Sequence, residues 1–228
     1  MERRGGSGSL QSTAAIMNRV DHWNHVFASS ADDQVSWFEA VPAISLRLLE
    51  AAGLTRDSCV LDVGAGDSHL VDHLISRGLD CLAVLDISGS ALARAQSRLG
   101  QFASIPIWIE SDVAGTWSLK PMDIWHDRAV FHFLTTDQDR EHYRTRLLQT
   151  LKAGGSAILA TFAMDGPEQC SGLPVVRYSA DSLSHELGPD FDLVETVPHI
   201  HTTPWGGSQP FVYCRFRRLS INTQGPAL

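Results

Sequence analysis

The sequence predicts an α/β fold in which a mostly parallel sheet is covered by helices on both faces. Short apolar runs alternate with longer segments of helical periodicity from about residue 59 to residue 162, and several runs end next to an aspartate. Parallel strands need crossover connections, which helices usually supply, so this alternation indicates a parallel sheet. Two further apolar runs near the carboxyl end have no helix between them and predict an antiparallel strand pair.

The predicted elements follow the chain in a regular order. The predicted strands are residues 59–63, 82–85, 105–109, 124–125, 157–162, 191–201 and 211–216. The predicted helices are residues 22–53, 68–76, 90–99, 139–151 and 181–187. Apolar side chains recur at the helical period in these helices, and Gly53 and Gly100 stand where helices commonly stop. Residues 204–210, rich in Pro and Gly, form the turn between the last two strands.

Length and charge limit the class of protein. A chain of 228 residues has room for one well-packed core, at roughly 100–200 residues per domain. No apolar run approaches the roughly 20 residues that are needed to cross a bilayer, so we expect no membrane span. The formal net charge of -8 and a pI near 5.6 argue against nucleic-acid binding, which depends on clustered Lys and Arg.

The ends of the chain and its cysteines give four further expectations. We expect residues 1–19, rich in Gly, Ser and Arg, to be a disordered terminus. Residues 20–228 should form a single domain that begins with a helical cover over about residues 20–55. The four cysteines are far apart and form no C-x-x-C pair, which indicates neither a zinc knuckle nor a disulfide framework. The reducing cytosol fits this pattern best, so we expect a cytoplasmic protein.

A glycine turn follows the first predicted strand. Asp62 stands near the end of that strand, and Gly64 and Gly66 come directly after it. Glycines let the backbone approach a ligand closely, and the amino end of the next helix offers unpaired N–H donors. Such a turn binds a nucleotide-like molecule where the strand order of an open sheet reverses.

Two more aspartates close predicted strands. Asp86 ends the second strand about 24 residues after Asp62, near the ~20-residue spacing that is typical of a carboxylate on ribose hydroxyls. Asp112 follows the third strand and is placed to meet the exocyclic amine of an adenine. Each has a structural alternative, because aspartate often caps the helix that follows it.

On these residues the chain resembles a class I S-adenosylmethionine-dependent methyltransferase, over roughly residues 62–216. The resemblance implies a Rossmann-like, seven-stranded, mostly parallel sheet with helices on both faces and an antiparallel C-terminal strand pair. It also implies S-adenosyl-L-methionine as the cofactor. The implied cofactor-binding residues are Asp62, Gly64 and Gly66 for the methionine part, Asp86 for the ribose, and Ile87, Asp112 and Val113 for the adenine.

One departure from the family pattern is Ser68, which stands where the family often has a third glycine. Serine can donate a hydrogen bond there, but it leaves the backbone less room. The main rival interpretation is a nicotinamide-dependent enzyme, whose G-x-G-x-x-G turn needs a glycine where this chain has His69. Asp62 also argues against that rival, because it would place a carboxylate near an anionic pyrophosphate.

The segment after the fourth strand is where the resemblance places residues that face the transferable methyl group. The predicted catalytic side chains are Asp127 and His132, which could orient or deprotonate an acceptor. Asp127 is also predicted to be a cofactor-binding residue. The alternative is that Asp127 pairs with Arg128 or caps a helix and that His132 is a buried, hydrogen-bonded residue. The long connection over residues 163–178 is the candidate lid that selects the acceptor.

We expect no metal site. His69 and His73 lie four residues apart on a predicted helix, but no glutamate stands between them and no third ligand is evident. The acidic chain and the long connection favour a small-molecule acceptor over a protein lysine. A cofactor-binding protein that has lost catalysis is the alternative outside the enzymes, and the sequence does not give the oligomeric state.

Overall fold

The structure is a computed structural model that describes residues 19–29 and 31–220. The strands are β1 (Val60–Val63), β2 (Leu82–Asp86), β3 (Ile107–Glu110), β4 (Met122–Arg128), β5 (Leu151–Phe162), β6 (Gln169–Cys170), β7 (Leu173–Pro174), β8 (Phe191–Thr202) and β9 (Ser208–Arg218). The α-helices are α1 (residues 19–29), α2 (Ala43–Ala51), α3 (Leu70–Ser76), α4 (Gly89–Leu99), α5 (Asp137–Thr150) and α6 (Ala180–Leu187). Short 3-10 helices cover Asp32–Gln34, Gly100–Ser104 and Phe131–Phe133. None of the helices in the described ranges is long and apolar enough to span a membrane.

Seven strands form one sheet in the order β3, β2, β1, β4, β5, β9, β8. The first five strands in this order are parallel, and β9 pairs antiparallel with both β5 and β8. The predicted fold is therefore confirmed. The strand order reverses between β1 and β4, and ligands of open α/β sheets bind outside the carboxyl ends of the strands at such a reversal.

The sheet is buried on both faces. On one face Leu61 packs with Tyr143 of α5 and Leu183 of α6. On the other face Val60 packs in a cluster with α2, α3 and α4, to which Leu48 contributes. Parallel strands that are covered on both sides read as continuous hydrophobic runs, which is why β1 and β2 are recognisable in the sequence.

The N-terminal helical pattern predicted over residues 22–53 consists of two separate helices. α1 is described up to residue 29, and α2 begins directly after Pro42. Pro42 accounts for the start of α2, because proline lacks an N–H donor and disfavours a helical residue before it. Residues 1–18 of the predicted disordered terminus lie outside the described residues, whereas Arg19 is part of α1.

The long connection over residues 163–178 contains a small hairpin, β6–β7, that the sequence analysis did not predict. Its turn has Ser171 at φ 49° and Gly172 at φ 77°. Two consecutive positive φ angles are typical of a type I′ turn, in which glycine is favoured. The Tyr178 N–H donates to the Phe162 carbonyl at 3.0 Å, which fixes the connection to the end of β5.

The expectation that the cysteines form no disulfide is wrong. Cys59 and Cys81 are bonded across the starts of β1 and β2, with their Cα atoms 4.6 Å apart. They are 22 residues apart in sequence, but the crossover through α3 returns the chain to the neighbouring strand, so the residues that precede the two strands become neighbours. The bond removes the cysteine argument for a reducing cytosol. Cys170 and Cys214 are free and buried.

Reduction of the Cys59–Cys81 bond is expected to lower the free energy of unfolding by about 2–4 kcal/mol, because the open chain gains conformational freedom in the unfolded state. Urea unfolding with and without dithiothreitol measures the difference. As a control, the double variant Cys59→Ala, Cys81→Ala should unfold at the same urea concentration under both conditions. A wild-type midpoint that does not respond to the reductant would contradict the prediction.

Candidate functional site

A cleft opens at the carboxyl ends of β1 and β4. It has a large compartment of about 840 Å³ and a small compartment of about 670 Å³, each measured out to its mouth. Phe27, Trp37, Gly64 and Arg128 line both compartments. Volumes in this range suit a cofactor or a small ligand.

The glycine turn after β1 is required by backbone conformation and by space. Gly64 and Gly66 have φ angles of 57° and 55°, a region that L side chains rarely adopt. A Cβ atom on Gly64 would overlap Val130, and one on Gly66 would lie 2.7 Å from Phe27 Cζ. Neither position can accept a side chain unless a neighbouring element moves.

The two carboxylate oxygens of Asp62 differ in their hydrogen bonding. Its Oδ1 accepts from His126 Nδ1 at 2.7 Å, and His126 Nε2 pairs with Ser45 Oγ at 2.9 Å. Its Oδ2 is buried and has no hydrogen-bond partner among the described residues. Because an unpaired buried carboxylate oxygen is costly, this atom is suited to a ligand that brings a donor, such as an ammonium group. Asp62 and Gly64 both line the small compartment.

Asp86 lines the large compartment and holds the glycine turn. Its Oδ2 accepts the Gly66 N–H at 2.7 Å, and its Oδ1 accepts the Ser88 N–H at 2.8 Å. Burial raises the pKa of this carboxyl to about 6, although these backbone hydrogen bonds act in the opposite direction. The side chain that caps α4 is Ser88, which accepts from the Ala91 N–H. The Ile87 backbone also hydrogen-bonds to this carboxylate, which still keeps accepting capacity for a ligand donor.

Asp112, Ile87 and Val113 line the same compartment. The Asp112 Oδ1 accepts the Ala114 N–H at 2.9 Å within a turn and caps no helix. Its Oδ2 lies 3.1 Å from Arg19 Nη2. The structure thus gathers the aspartates at the strand ends around one cleft and adds Arg19 of α1, which the sequence analysis placed in the disordered terminus.

Arg128, at the end of β4, is a residue that the sequence analysis did not select. Its Nε donates to Tyr213 Oη at 3.0 Å, its Nη1 donates to the Trp37 carbonyl at 2.9 Å, and its Nη2 lies 3.2 Å from Glu39 Oε1. His201 Nδ1 lies 3.4 Å from the same Glu39 oxygen. Burial acts to raise the pKa of Glu39, but the His201 hydrogen bond and the Arg128 charge outweigh it and hold that pKa below its ordinary value.

Asp127, one of the two predicted catalytic residues, does not line the cleft. Its carboxylate accepts the N–H groups of Val130 at 3.0 Å and Phe131 at 3.4 Å and the Tyr143 hydroxyl at 2.7 Å. Burial raises its pKa to about 6. Side chains alternate along a strand, so Asp127 faces α5 while its neighbours His126 and Arg128 reach the cleft.

His132, the other predicted catalytic residue, is also absent from the cleft lining. Its Nδ1 accepts the Phe162 N–H at 3.2 Å. His132 is therefore a buried, hydrogen-bonded residue, which was the alternative given from the sequence. Burial, together with the charge of Arg128, lowers the pKa of His132 to about 3, and the imidazole is neutral at physiological pH. The structure therefore brings neither predicted base to the ligand space.

Aromatic rings line much of the large compartment. They belong to Trp23, Phe27, Trp37, Phe133, Phe162 and Phe211. The Trp23 ring lies edge-on to Phe133 at 5.1 Å and to Trp37 at 5.9 Å between centroids. Cys170 comes from the candidate lid and Gln209 from β9. Burial raises the pKa of the Cys170 thiol to about 11, so this sulfur is uncharged at physiological pH.

His69, which directly precedes α3, and His73 within it both contact other parts of the protein. His73 Nε2 pairs with the Ala40 carbonyl at 3.0 Å, and the His69 ring packs edge-on against Phe38 at 5.6 Å between centroids. Within residues 19–29 and 31–220, no group of three or more His, Cys, Asp or Glu side chains is arranged to hold a metal ion.

Comparisons with known proteins find methyltransferases. No protein-family model matches the chain. EEF1A lysine methyltransferase 2 of Danio rerio is 24% identical over 160 residues, which are 67% of this chain and 63% of that protein. Uncharacterized methyltransferases of Mycobacterium bovis and Mycobacterium tuberculosis are 32% identical over 117 residues, which are 50% of this chain and 56% of those proteins. The matched segments thus span less than two thirds of these relatives.

Solved structures share the fold at low sequence identity. A structure from work on the conversion of a disulfide bond into a thioacetal group during echinomycin biosynthesis has a TM-score of 0.71 at 19% identity, covering 90% of this chain and 94% of that one. The N-methyltransferase NodS of Bradyrhizobium japonicum, in complex with S-adenosyl-L-homocysteine, has a TM-score of 0.67 at 17% identity, covering 88% of this chain and 100% of that one. This chain is thus similar in sequence to methyltransferases and shares its fold with an N-methyltransferase that was solved with S-adenosyl-L-homocysteine.

Proposed function

We propose that the protein transfers a methyl group from S-adenosyl-L-methionine to a small molecule. The observation that carries the proposal is the continuity of the cleft. The large compartment extends from the strand-end carboxylates Asp86 and Asp112 to the aromatic rings near Phe211, and Gly64 lies on its wall. A cofactor at the carboxylate end and an acceptor at the aromatic end would therefore share one cleft, as direct group transfer requires.

The residues of the cleft fit this cofactor. The open Oδ2 of Asp62 suits the ammonium group of the methionine part, beside Gly64 and Gly66. The carboxylate of Asp86, which lines the large compartment, suits the ribose hydroxyls. The adenine would then lie against Ile87 and Val113 with its amine near Asp112, where the carboxylate is shared with Arg19.

The bound cofactor supplies a methyl group that is already activated by a positively charged sulfur. The protein's task is then to align the acceptor and to exclude water, which are the contributions of proximity and orientation. Arg128 holds Trp37 in the wall between the compartments. We propose that Asp127 and His132 act as positioning residues: Asp127 fixes the backbone after β4, and His132 joins it to the end of β5.

The aromatic lining of the large compartment supports a small-molecule acceptor. A protein lysine is the second candidate, because the relative in Danio rerio is named a lysine methyltransferase. Transfer of a labelled methyl group to a panel of small molecules and to a protein mixture distinguishes these candidates. Binding of S-adenosylhomocysteine without transfer to any acceptor would instead indicate a cofactor-binding protein that has lost catalysis.

Asp86→Ala is expected to weaken S-adenosylhomocysteine binding by about 1–3 kcal/mol, the range for hydrogen bonds that involve a charged group. Titration calorimetry measures the change. Asp192→Ala, which removes an exposed carboxylate on β8, is the matched control and should leave the affinity unchanged. Equal affinities for Asp86→Ala and the wild type would remove Asp86 from the binding site.

The affinity for S-adenosylhomocysteine is also expected to fall as the pH drops below about 6. The pKa of Asp86 is raised to about 6 in the folded protein, so below this pH its carboxyl must lose a proton before both oxygens can accept ligand hydroxyls. The dissociation constant should then approach a tenfold rise per pH unit. Asp86→Asn should bind weakly with little dependence on pH between about 5 and 7. A wild-type affinity that is constant over this range would contradict the assignment.

Arg128→Met is expected to lower the free energy of unfolding by about 1–3 kcal/mol, because the half-buried carboxylate of Glu39 loses its cationic partner and keeps only His201 beside it. Urea unfolding measures this loss. The double variant Arg128→Met, Glu39→Gln should recover part of it, since the orphaned charge is then removed. Additive losses in the two single variants would show that the pair is not coupled.

A further inference from the structure

The aromatic end of the large compartment, taken together with what surrounds it, points to one chemical class of acceptor. We propose that the acceptor is an uncharged, planar heteroaromatic molecule that is methylated on a ring nitrogen, and that Gln209 recognises its polar edge. This inference rests on the proposed function, because it assumes that the carboxylate end of the cleft holds the methyl donor.

The first argument concerns shape and polarity. Trp37 and Phe133 are partly exposed and offer apolar ring surface to the compartment, and the more deeply buried Phe162 and Phe211 also contribute to its lining. Phe162 and Phe211 meet edge to face, with 4.9 Å between their centroids. A planar ring system buries the largest apolar area against such walls.

The second argument concerns proton transfer. A phenol or an alcohol needs a base when its oxygen is methylated, and an alkylammonium must lose a proton before it has a lone pair to offer. Asp127 and His132 are held by other groups and do not line the cleft. The guanidinium of Arg128 is a cation, and Cys170 is an uncharged thiol. The aromatic end therefore offers no base, and an acceptor that reacts here must already have a free lone pair at neutral pH.

The third argument concerns charge. In the transfer, the lone pair of the ring nitrogen forms the new bond to the methyl carbon, and the electrons of the broken carbon–sulfur bond remain on sulfur. No proton leaves, so the positive charge moves from sulfur to the methylated ring. Aromatic faces attract a cation, so the rings of Trp23 and Phe133 favour the product charge. Arg128, whose Cζ lies 5.3 Å from the centroid of the Phe211 ring, disfavours a second positive charge at that ring, whether on an entering ligand or on the product.

The fourth argument concerns orientation. Gln209 lines the compartment, and its side-chain amide makes no hydrogen bond among the described residues. An amide offers a donor and an acceptor at one edge, which match the nitrogen and carbonyl groups of a heteroaromatic ring. A purely hydrocarbon ring would leave the Gln209 amide without hydrogen-bond partners. Gln209 would therefore favour flat ligands that carry polar atoms at this edge.

Three bicyclic probes of similar size test the proposal: quinazoline with ring nitrogens, naphthol with a hydroxyl, and naphthylmethylamine with an ammonium group. Protein saturated with S-adenosylhomocysteine is titrated with each probe by calorimetry, and transfer of labelled methyl from the cofactor is then measured. Quinazoline is expected to bind at least about tenfold more tightly than naphthylmethylamine and to accept label faster than either other probe. Its transfer rate should be nearly constant above about pH 7, since no base titrates.

Several results would overturn the inference. They are faster transfer to naphthol or to naphthylmethylamine, a transfer rate that rises about tenfold per pH unit, and failure of quinazoline to bind protein that does bind S-adenosylhomocysteine. Failure to bind S-adenosylhomocysteine itself would instead overturn the proposed function, and with it the premise of the inference.

The role of Gln209 is tested by Gln209→Leu. The variant is expected to raise the KM for quinazoline about tenfold, with a smaller change in kcat and an unchanged affinity for S-adenosylhomocysteine. Gln101→Leu, at an exposed position far in sequence from the cleft lining, is the matched control and should behave as the wild type. An unchanged KM in Gln209→Leu would remove Gln209 from acceptor recognition.

Discussion

The side chain of Arg128 is only 12% exposed, and its charge has to be compensated inside the protein. Its partners are Glu39 and the Trp37 carbonyl, which precede the sheet, and Tyr213, which lies on its penultimate strand β9. Because a buried cation without partners costs several kcal/mol, the segment before α2 has to stay against the sheet. The wall between the two compartments therefore depends on a guanidinium that joins distant parts of the chain, and His201 of β8 supports the same segment by pairing with the Ser36 carbonyl at 2.7 Å.

The parallel part of the fold follows from local sequence patterns. Strands such as β2, which is buried along its whole length, read as apolar runs, and the helices between them keep their period. Features that depend on a single residue or on a few residues were missed. Pro42 divides the predicted N-terminal helix, and the hairpin turn at Ser171 and Gly172 connects strands too short to show a period. The Cys59–Cys81 bond arises only because two strand starts become neighbours.

The candidate site was predictable where it lies at strand ends, because the carboxyl ends of parallel strands meet at one edge of the sheet. Asp62, Asp86 and Asp112 were found in this way. Asp127 ends a strand as well, yet its side chain alternates to the opposite face and is held by Tyr143. Arg128 could not be selected from the sequence, since its partners come from both ends of the chain. The aromatic rings of the large compartment could not be predicted to meet for the same reason, because they come from distant parts of the chain.

The contact between the glycine turn and α1 has an evolutionary consequence. The Phe27 ring occupies the space that a side chain at Gly66 would need, and the Phe27 carbonyl accepts from Arg94 Nη1 at 2.6 Å, which anchors this part of α1. A side chain at position 66 therefore meets two obstacles, the positive φ of its backbone and the Phe27 ring. A smaller residue at position 27 removes only the second obstacle, so among homologues the glycine should vary less than the phenylalanine that covers it.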